Sequence, residues 1–120
     1  CHFMEDFTDD AYKNIGLFNG KDLNDSGRYL ISGDLADLGK FKTPGLRNIA
    51  VTAPYMHNGM FKTLEEVIDF YDQPNQTVPD AINRDTLLNE PLNLTVEEKA
   101  DLKLFLEALT DDRFLREGSK

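Results

Sequence analysis

Only two stretches of this 120-residue chain combine a helix start signal with a helical apolar rhythm. Thr63-Leu64-Glu65-Glu66 reads as a capping box, with Thr63 as N-cap and Glu66 three residues on. Leu64, Val67, Ile68 and Tyr71 then recur at i, i+3, i+4 and i+7 on one face, and Pro74 closes the helix. Thr95-Val96-Glu97-Glu98 repeats the signal and opens the last long helix, where Leu102, Phe105, Leu106 and Leu109 form the expected buried stripe.

The rest is punctuated by Gly, Pro, Asn and Asp. Residues 3 to 24 read as irregular, with at most a short turn or helix near Asp9 to Asn14. Arg28 to Ile31 reads as one or two helical turns capped by Asp25. Gly33 to Pro44 reads as an ordered loop, Leu46 to Val51 as a short helix before the Ala53-Pro54 break, and residues 74 to 94 as a long excursion. Thr110 to Lys120 is a polar tail in which Phe114 and Leu115 are the residues able to dock. No repeat appears, and no alternating stretch is long enough to argue for a sheet. The expected class is therefore all-α, with several short helices and long ordered loops, in a single domain over residues 1–120.

Such a chain needs something to pack around. Ordering each residue costs on the order of 1–2 kcal/mol in backbone entropy, and long loops bury little apolar area in return. The 40% hydrophobic content suffices for one modest core, and eight Phe and four Tyr supply its bulk. Thirteen basic against 22 acidic residues leave a net charge of −9. That surface repels phosphate backbones and anionic lipid, which argues against nucleic acid as a partner; it either favours encounter with a basic protein or serves solubility alone. No run approaches the roughly 20 apolar residues that span a bilayer. A single cysteine excludes an internal disulfide framework.

That cysteine opens the chain as Cys1-His2, the last two letters of C-x-x-C-H, the attachment motif of a c-type haem. A haem is a large, flat, apolar body that would order loops from many segments. In the motif the cysteine sulfur bonds to the porphyrin and the histidine binds iron, which makes His2 the proximal candidate. Met4, Met56, His57 and Met60 are the side chains to weigh for the other face. Met4 is too near His2 to pass around the macrocycle, and Met60, after the Asn58-Gly59 turn signal, reads as an anchor for the Thr63 helix. Met56 and His57 are neighbours whose side chains diverge, so one faces the iron. A thioether favours ferrous iron and a higher potential, a second imidazole a lower one. Met56 is preferred. The competing reading makes Met56 a filler of core gaps and leaves His57 hydrogen-bonding at a haem edge or an interface. Arg47 follows a Pro-Gly-Leu turn and suits a haem propionate through paired hydrogen bonds, or else a surface ion pair. Lys42 has the same two readings. Tyr55 suits packing on the ring or a hydrogen bond to a propionate, and Pro54 narrows the approach of Tyr55-Met56.

Taken together, Asp25-Ser26-Gly27-Arg28, the run Asp37 to Ala50 with Phe41-Lys42-Thr43-Pro44-Gly45-Leu46-Arg47-Asn48 at its centre, Thr52-Ala53-Pro54-Tyr55-Met56-His57-Asn58-Gly59 and Thr63 to Val67 closely resemble the C-terminal haem domain of bacterial di-haem cytochrome c peroxidases, the superfamily that includes the MauG-type enzymes. Leu94 to Thr110 fits that family's last helix. The resemblance implies a cytochrome c-like fold, two haem c domains in one periplasmic chain, and reduction of hydrogen peroxide to water as an oxidoreductase. It implies that this domain takes electrons from a small cytochrome c or cupredoxin and relays them to the N-terminal peroxidatic haem domain. It further implies that Cys1 is the second thioether cysteine, His2 the proximal and Met56 the distal ligand, that the parent dimerises, and that calcium lies between its domains, with ligands not placed on this sequence. The sequence would then cover only the C-terminal half, starting inside the attachment motif, with no peroxidase activity expected of it alone. A threonine usual in the family after Thr43-Pro44 is replaced by Gly45, expected to loosen that turn without touching a ligand. Two alternatives stand beside this reading: a MauG-type enzyme with a distal tyrosine that oxidises residues of a partner protein, and a haem-free helical domain that binds a partner through its acidic face.

Overall fold

The computed structural model describes residues 1–2 and 5–111. Met4, Phe114 and Leu115 lie outside them. The chain runs β1 (Tyr12–Lys13), α1 (Tyr29–Ser32), β2 (Phe41–Lys42), α2 (Leu64–Asp72), α3 (Pro74–Thr77) and α4 (Val96–Glu107), with 3₁₀ turns at Leu35–Asp37, Ile49–Val51 and Thr86–Leu88.

The helix starts follow the local chemistry. Thr63 accepts from the Glu66 N–H (3.2 Å), while the Glu66 carboxylate reaches back one residue further than a capping box requires, to the Lys62 N–H. The Thr95 box is complete in both directions, at 3.1 and 3.0 Å. Leu64 and Ile68 are buried as the periodicity demands, and Val67 and Tyr71 are half-buried. The deepest member of the helix is Phe70, at 1% exposure, which the single-face reading omits. It is packed from a second side by Phe61, at 5.5 Å between ring centroids. Burial pushes the Tyr71 hydroxyl up to about 12. Pro74 ends α2 and also opens α3 from its first position, where a missing N–H costs nothing.

Several expectations change. The class is not purely α: β1 and β2 form a two-stranded antiparallel ladder pairing Tyr12 with Lys42 and Lys13 with Phe41. Within the segment near Asp9 to Asn14 only Tyr12–Lys13 is strand; ahead of it the expected turn is present, the Ala11 N–H donating to the Asp9 carboxylate (2.9 Å). Two-residue strands are too short to show a period of two, which is why the pattern is silent about them. Asp25 does not cap α1; it accepts from the Gly27 N–H (2.9 Å) in a turn ahead of the helix. The expected helix over Leu46 to Val51 contracts to the Ile49–Val51 turn.

The α4 stripe differs most. Leu106 alone is fully buried and Leu109 is half-buried, while Leu102 and Phe105 are 39% and 47% exposed. The core gathers instead around α2, with Leu17, Tyr55, Phe61, Val78 and Leu106 packed against it. Asp72, buried at the end of α2, accepts from the Leu94 N–H (2.8 Å) and pairs with Lys99 of α4 (3.2 Å). It thereby ties the 74–94 excursion and α4 to the same helix end. Asn14, at 1% exposure, donates to the carbonyls of Leu38 and Ile82 and accepts from the Gly16 N–H, so one amide staples three loops.

Candidate functional site

The amino terminus sits on a turn at Glu5–Phe7. Cys1 and His2 are exposed, and the Cys1 thiol is free. His2 Nδ1 lies 2.8 Å from the Phe7 carbonyl. A carbonyl only accepts, so Nδ1 carries the proton and Nε2 is left with its lone pair. This is the tautomer an imidazole needs to ligate a metal through Nε2.

Arg47 converges on the same turn. Its guanidinium donates to the Glu5 carbonyl (2.7 Å) and lies over the Phe7 ring, with Cζ 5.8 Å from the centroid. It is set there by its neighbour Asn48, whose N–H donates to the Leu109 carbonyl (2.8 Å) and whose side-chain oxygen accepts from the Asp111 N–H (2.7 Å). The turn is also seated on Gly45: a Cβ built there would lie 2.8 Å from the Asp6 carbonyl oxygen. Gly45 therefore brings the 43–47 segment against the amino-terminal turn, a closer role than loosening a bend. Thr8 secures the turn's exit by donating to the Thr43 carbonyl. Lys42 pairs with Asp10 (3.2 Å), the surface reading of that residue.

Tyr55 and Met56 occupy a second loop. Ala53-Pro54 is cis, the Tyr55 N–H donates to the Phe61 carbonyl (2.7 Å), and Met56 has a left-handed φ of 72°. The Tyr55 ring is buried and its hydroxyl donates to the Ile49 carbonyl (2.9 Å). Burial raises its pKa, with the Glu65 carboxylate adding to the effect. Met56 is half-buried against the core and has no such commitment. His57 turns away and stacks on Phe41, 3.8 Å between centroids and 11° between planes. Burial lowers its pKa, against the opposing pull of Asp25. Met60 is half-buried against the core.

The structure thus brings His2 and Arg47 together at one turn and leaves Tyr55 and Met56 in a separate loop. That loop reaches the Ile49–Val51 turn through the Tyr55 hydroxyl, and the Ile49–Val51 turn packs on α4. Phe7 is the residue that sequence reasoning missed; its only outward sign is an aromatic side chain close behind Cys1-His2. The donor set fits a haem c: a free thiol, an imidazole with Nε2 open, an uncommitted thioether and a guanidinium for a carboxylate. Two clefts, about 310 Å³ beside Asn83 and Arg84 and about 350 Å³ beside Glu5, Asp6, Thr8 and Asp10, are lined by none of these donors. Among the described residues no group of three or more His, Cys, Asp or Glu side chains is gathered to hold a metal ion, and no helix is long and apolar enough to cross a membrane. No calcium ligands are assigned.

No protein-family model matches the chain. Individual proteins do. A cytochrome-c peroxidase, IdrP1, of Pseudomonas sp. (strain SCT) is 38% identical over 109 residues, 91% of this chain and 26% of that protein. The chain is a homologue of the cytochrome-c peroxidases and the MauG proteins. The methylamine utilization protein MauG of Methylorubrum extorquens is 36% identical over 109 residues, again 91% of this chain and 30% of its own length. A crystal structure of a MauG-like protein associated with microbial copper homeostasis superposes with a TM-score of 0.71 at 42% identity, over 84% of this chain and 35% of that one. The chain therefore spans about a quarter to a third of the relatives it matches.

Proposed function

We propose that this chain is the electron-transfer haem c domain of a di-haem cytochrome c peroxidase, with a cytochrome c-like fold and a periplasmic site of action. The observation that carries the proposal is the His2 imidazole, held through Nδ1 on the Phe7 carbonyl with Nε2 open, directly after a free cysteine. It occurs in a chain that shares 38% identity with a cytochrome-c peroxidase. Cys1 would be the second thioether cysteine, His2 and Met56 would be the proximal and distal iron ligands, and Arg47 would serve a propionate. When bound, haem c supplies reversible one-electron transfer.

The chain's own residues set the terms of that transfer. With His2 and Met56 both serving as ligands, a haem held here would supply electron transfer, and reduction of peroxide to water would fall to an N-terminal peroxidatic haem domain. The Phe7 carbonyl orients His2, and Arg47 places a positive charge on the same turn, at the Glu5 carbonyl. The net charge of −9 favours encounter with a basic small cytochrome c or cupredoxin as electron donor. We further assign to the parent protein a homodimeric state and an interdomain calcium ion.

Similarity to MauG supports a second reading, in which tyrosine takes the distal position and the parent oxidises residues of a partner protein. Tyr55 is poorly disposed for it, because its hydroxyl serves the Ile49 carbonyl inside the core. Spectra of the haem-loaded protein separate the two. Under His/Met ligation, Met56→Ala opens the iron and lowers the reduction potential, whereas Tyr55→Phe leaves both spectrum and potential in place. A reversed pattern assigns the ligand to Tyr55.

A further inference from the structure

Phe7 combines two features that do not belong together in an ordinary turn. Its φ is 55°, in the left-handed region that disfavours any side chain with a Cβ. Gly normally takes such a position because it has no Cβ, and Asn because its short polar side chain can hydrogen-bond to the local backbone. Phe7 is also the residue whose carbonyl meets His2 Nδ1.

The ring explains how the conformation is kept. Phe105 of α4 meets it edge-on, 6.1 Å between centroids and 77° between planes. Arg47 covers it from elsewhere, and the same guanidinium holds the Glu5 carbonyl at the start of the turn. Edge-to-face aromatic contact and a cation over a ring are both directional attractions, so together they oppose rotation of the residue they grip. Turning Phe7 back to negative φ would carry its ring out of this clamp and swing its peptide group relative to Nδ1.

The geometry points to Phe7 as a positioning residue for the iron ligand, clamped by Phe105 and Arg47 so that its carbonyl fixes the tautomer and rotation of the His2 imidazole. The inference rests on the reading above that His2 binds haem iron. A hydrogen bond from Nδ1 to a carbonyl makes the imidazole a stronger electron donor, which favours ferric iron. Loosening the clamp therefore raises the reduction potential. It also accounts for Phe105 standing half out of the α4 stripe: its ring serves the amino-terminal turn.

The test uses the haem-loaded full-length protein. Proton NMR of the ferric form first identifies the axial imidazole, and His2 is the expected one; redox titration and deuterium exchange of the Nδ1 proton follow. Phe105→Ala raises the midpoint potential, with an upper bound of about tenfold in the reduced-to-oxidised ratio (about 59 mV for one electron), and speeds the exchange. Phe105→Tyr, which keeps the ring, restores both to wild-type values. Should Phe105→Ala fail to fold or load, Phe105→Leu keeps an apolar side chain without the edge-on contact and is read the same way. An axial imidazole from another residue overturns the ligand assignment together with this inference. Axial His2 with potential and exchange unchanged in the variants overturns the clamp alone.

Discussion

Helices α2 and α4 begin alike and are buried differently. Each opens with a threonine that accepts from the N–H three residues on, and each carries an apolar stripe. In α2 the stripe goes inside and brings Phe70 with it; in α4 Leu106 is inside while Leu102, Leu104 and Phe105 stay 39–65% exposed. A cap is a local event, completed within one turn of chain. Burial is decided by what the rest of the molecule brings to the face. Around α2 the chain supplies Phe61, Tyr55 and Val78; beside α4 it supplies the Ile49–Val51 turn and the Glu5–Phe7 turn, where the proposed haem ligand His2 is held.

Truncation tests that contrast most strongly. Phe70→Ala should destabilise the fold by about 3–5 kcal/mol, the range for a buried aromatic, whereas Leu104→Ala, at 65% exposure, should stay within about 0.5 kcal/mol. Chemical denaturation of the two variants checks this. Equal losses would show that α4 buries its face after all.

A smaller effect concerns the link between the helices. The Leu94 N–H, and then Lys99, hold the Asp72 carboxyl below its ordinary value. A group with a lowered folded-state pKa stabilises the fold fully above the unfolded value, about 3.9 for Asp, and loses that contribution as pH falls through the folded value. Stability should therefore decline below about pH 4, and Asp72→Asn should flatten that part of the profile. An unchanged acid limb in Asp72→Asn would remove Asp72 as the link.

The same contrast marks what could be read in advance. Thr63, Thr95, Pro74, and the burial of Leu64 and Ile68 were legible because each depends on neighbours within a turn or two. The β1–β2 pairing was not, since two-residue strands have no period and their partners lie far apart in sequence. Phe70 was missed because α2 is packed from two sides, and Asn14 because nothing in the surrounding residues announces that its amide will join three loops. At the candidate site, motif and chemistry single out Cys1, His2, Arg47, Tyr55 and Met56 as candidates, and these are the residues the proposal uses. Phe7 is not legible that way, because the part proposed for it depends on a left-handed φ and on contacts with Arg47 and Phe105. The role of Gly45 is likewise invisible in the sequence, because it depends on the Asp6 carbonyl lying against it.

The proposed function stands on a haem attached at Cys1 beside His2 as its proposed iron ligand. Mass spectrometry of the peptide carrying Cys1-His2, taken from the protein purified from its native host, tests it most directly. A covalent haem adduct on Cys1 is the predicted result. Cys1 recovered as an unmodified thiol in protein that has passed through haem-loading machinery would contradict it.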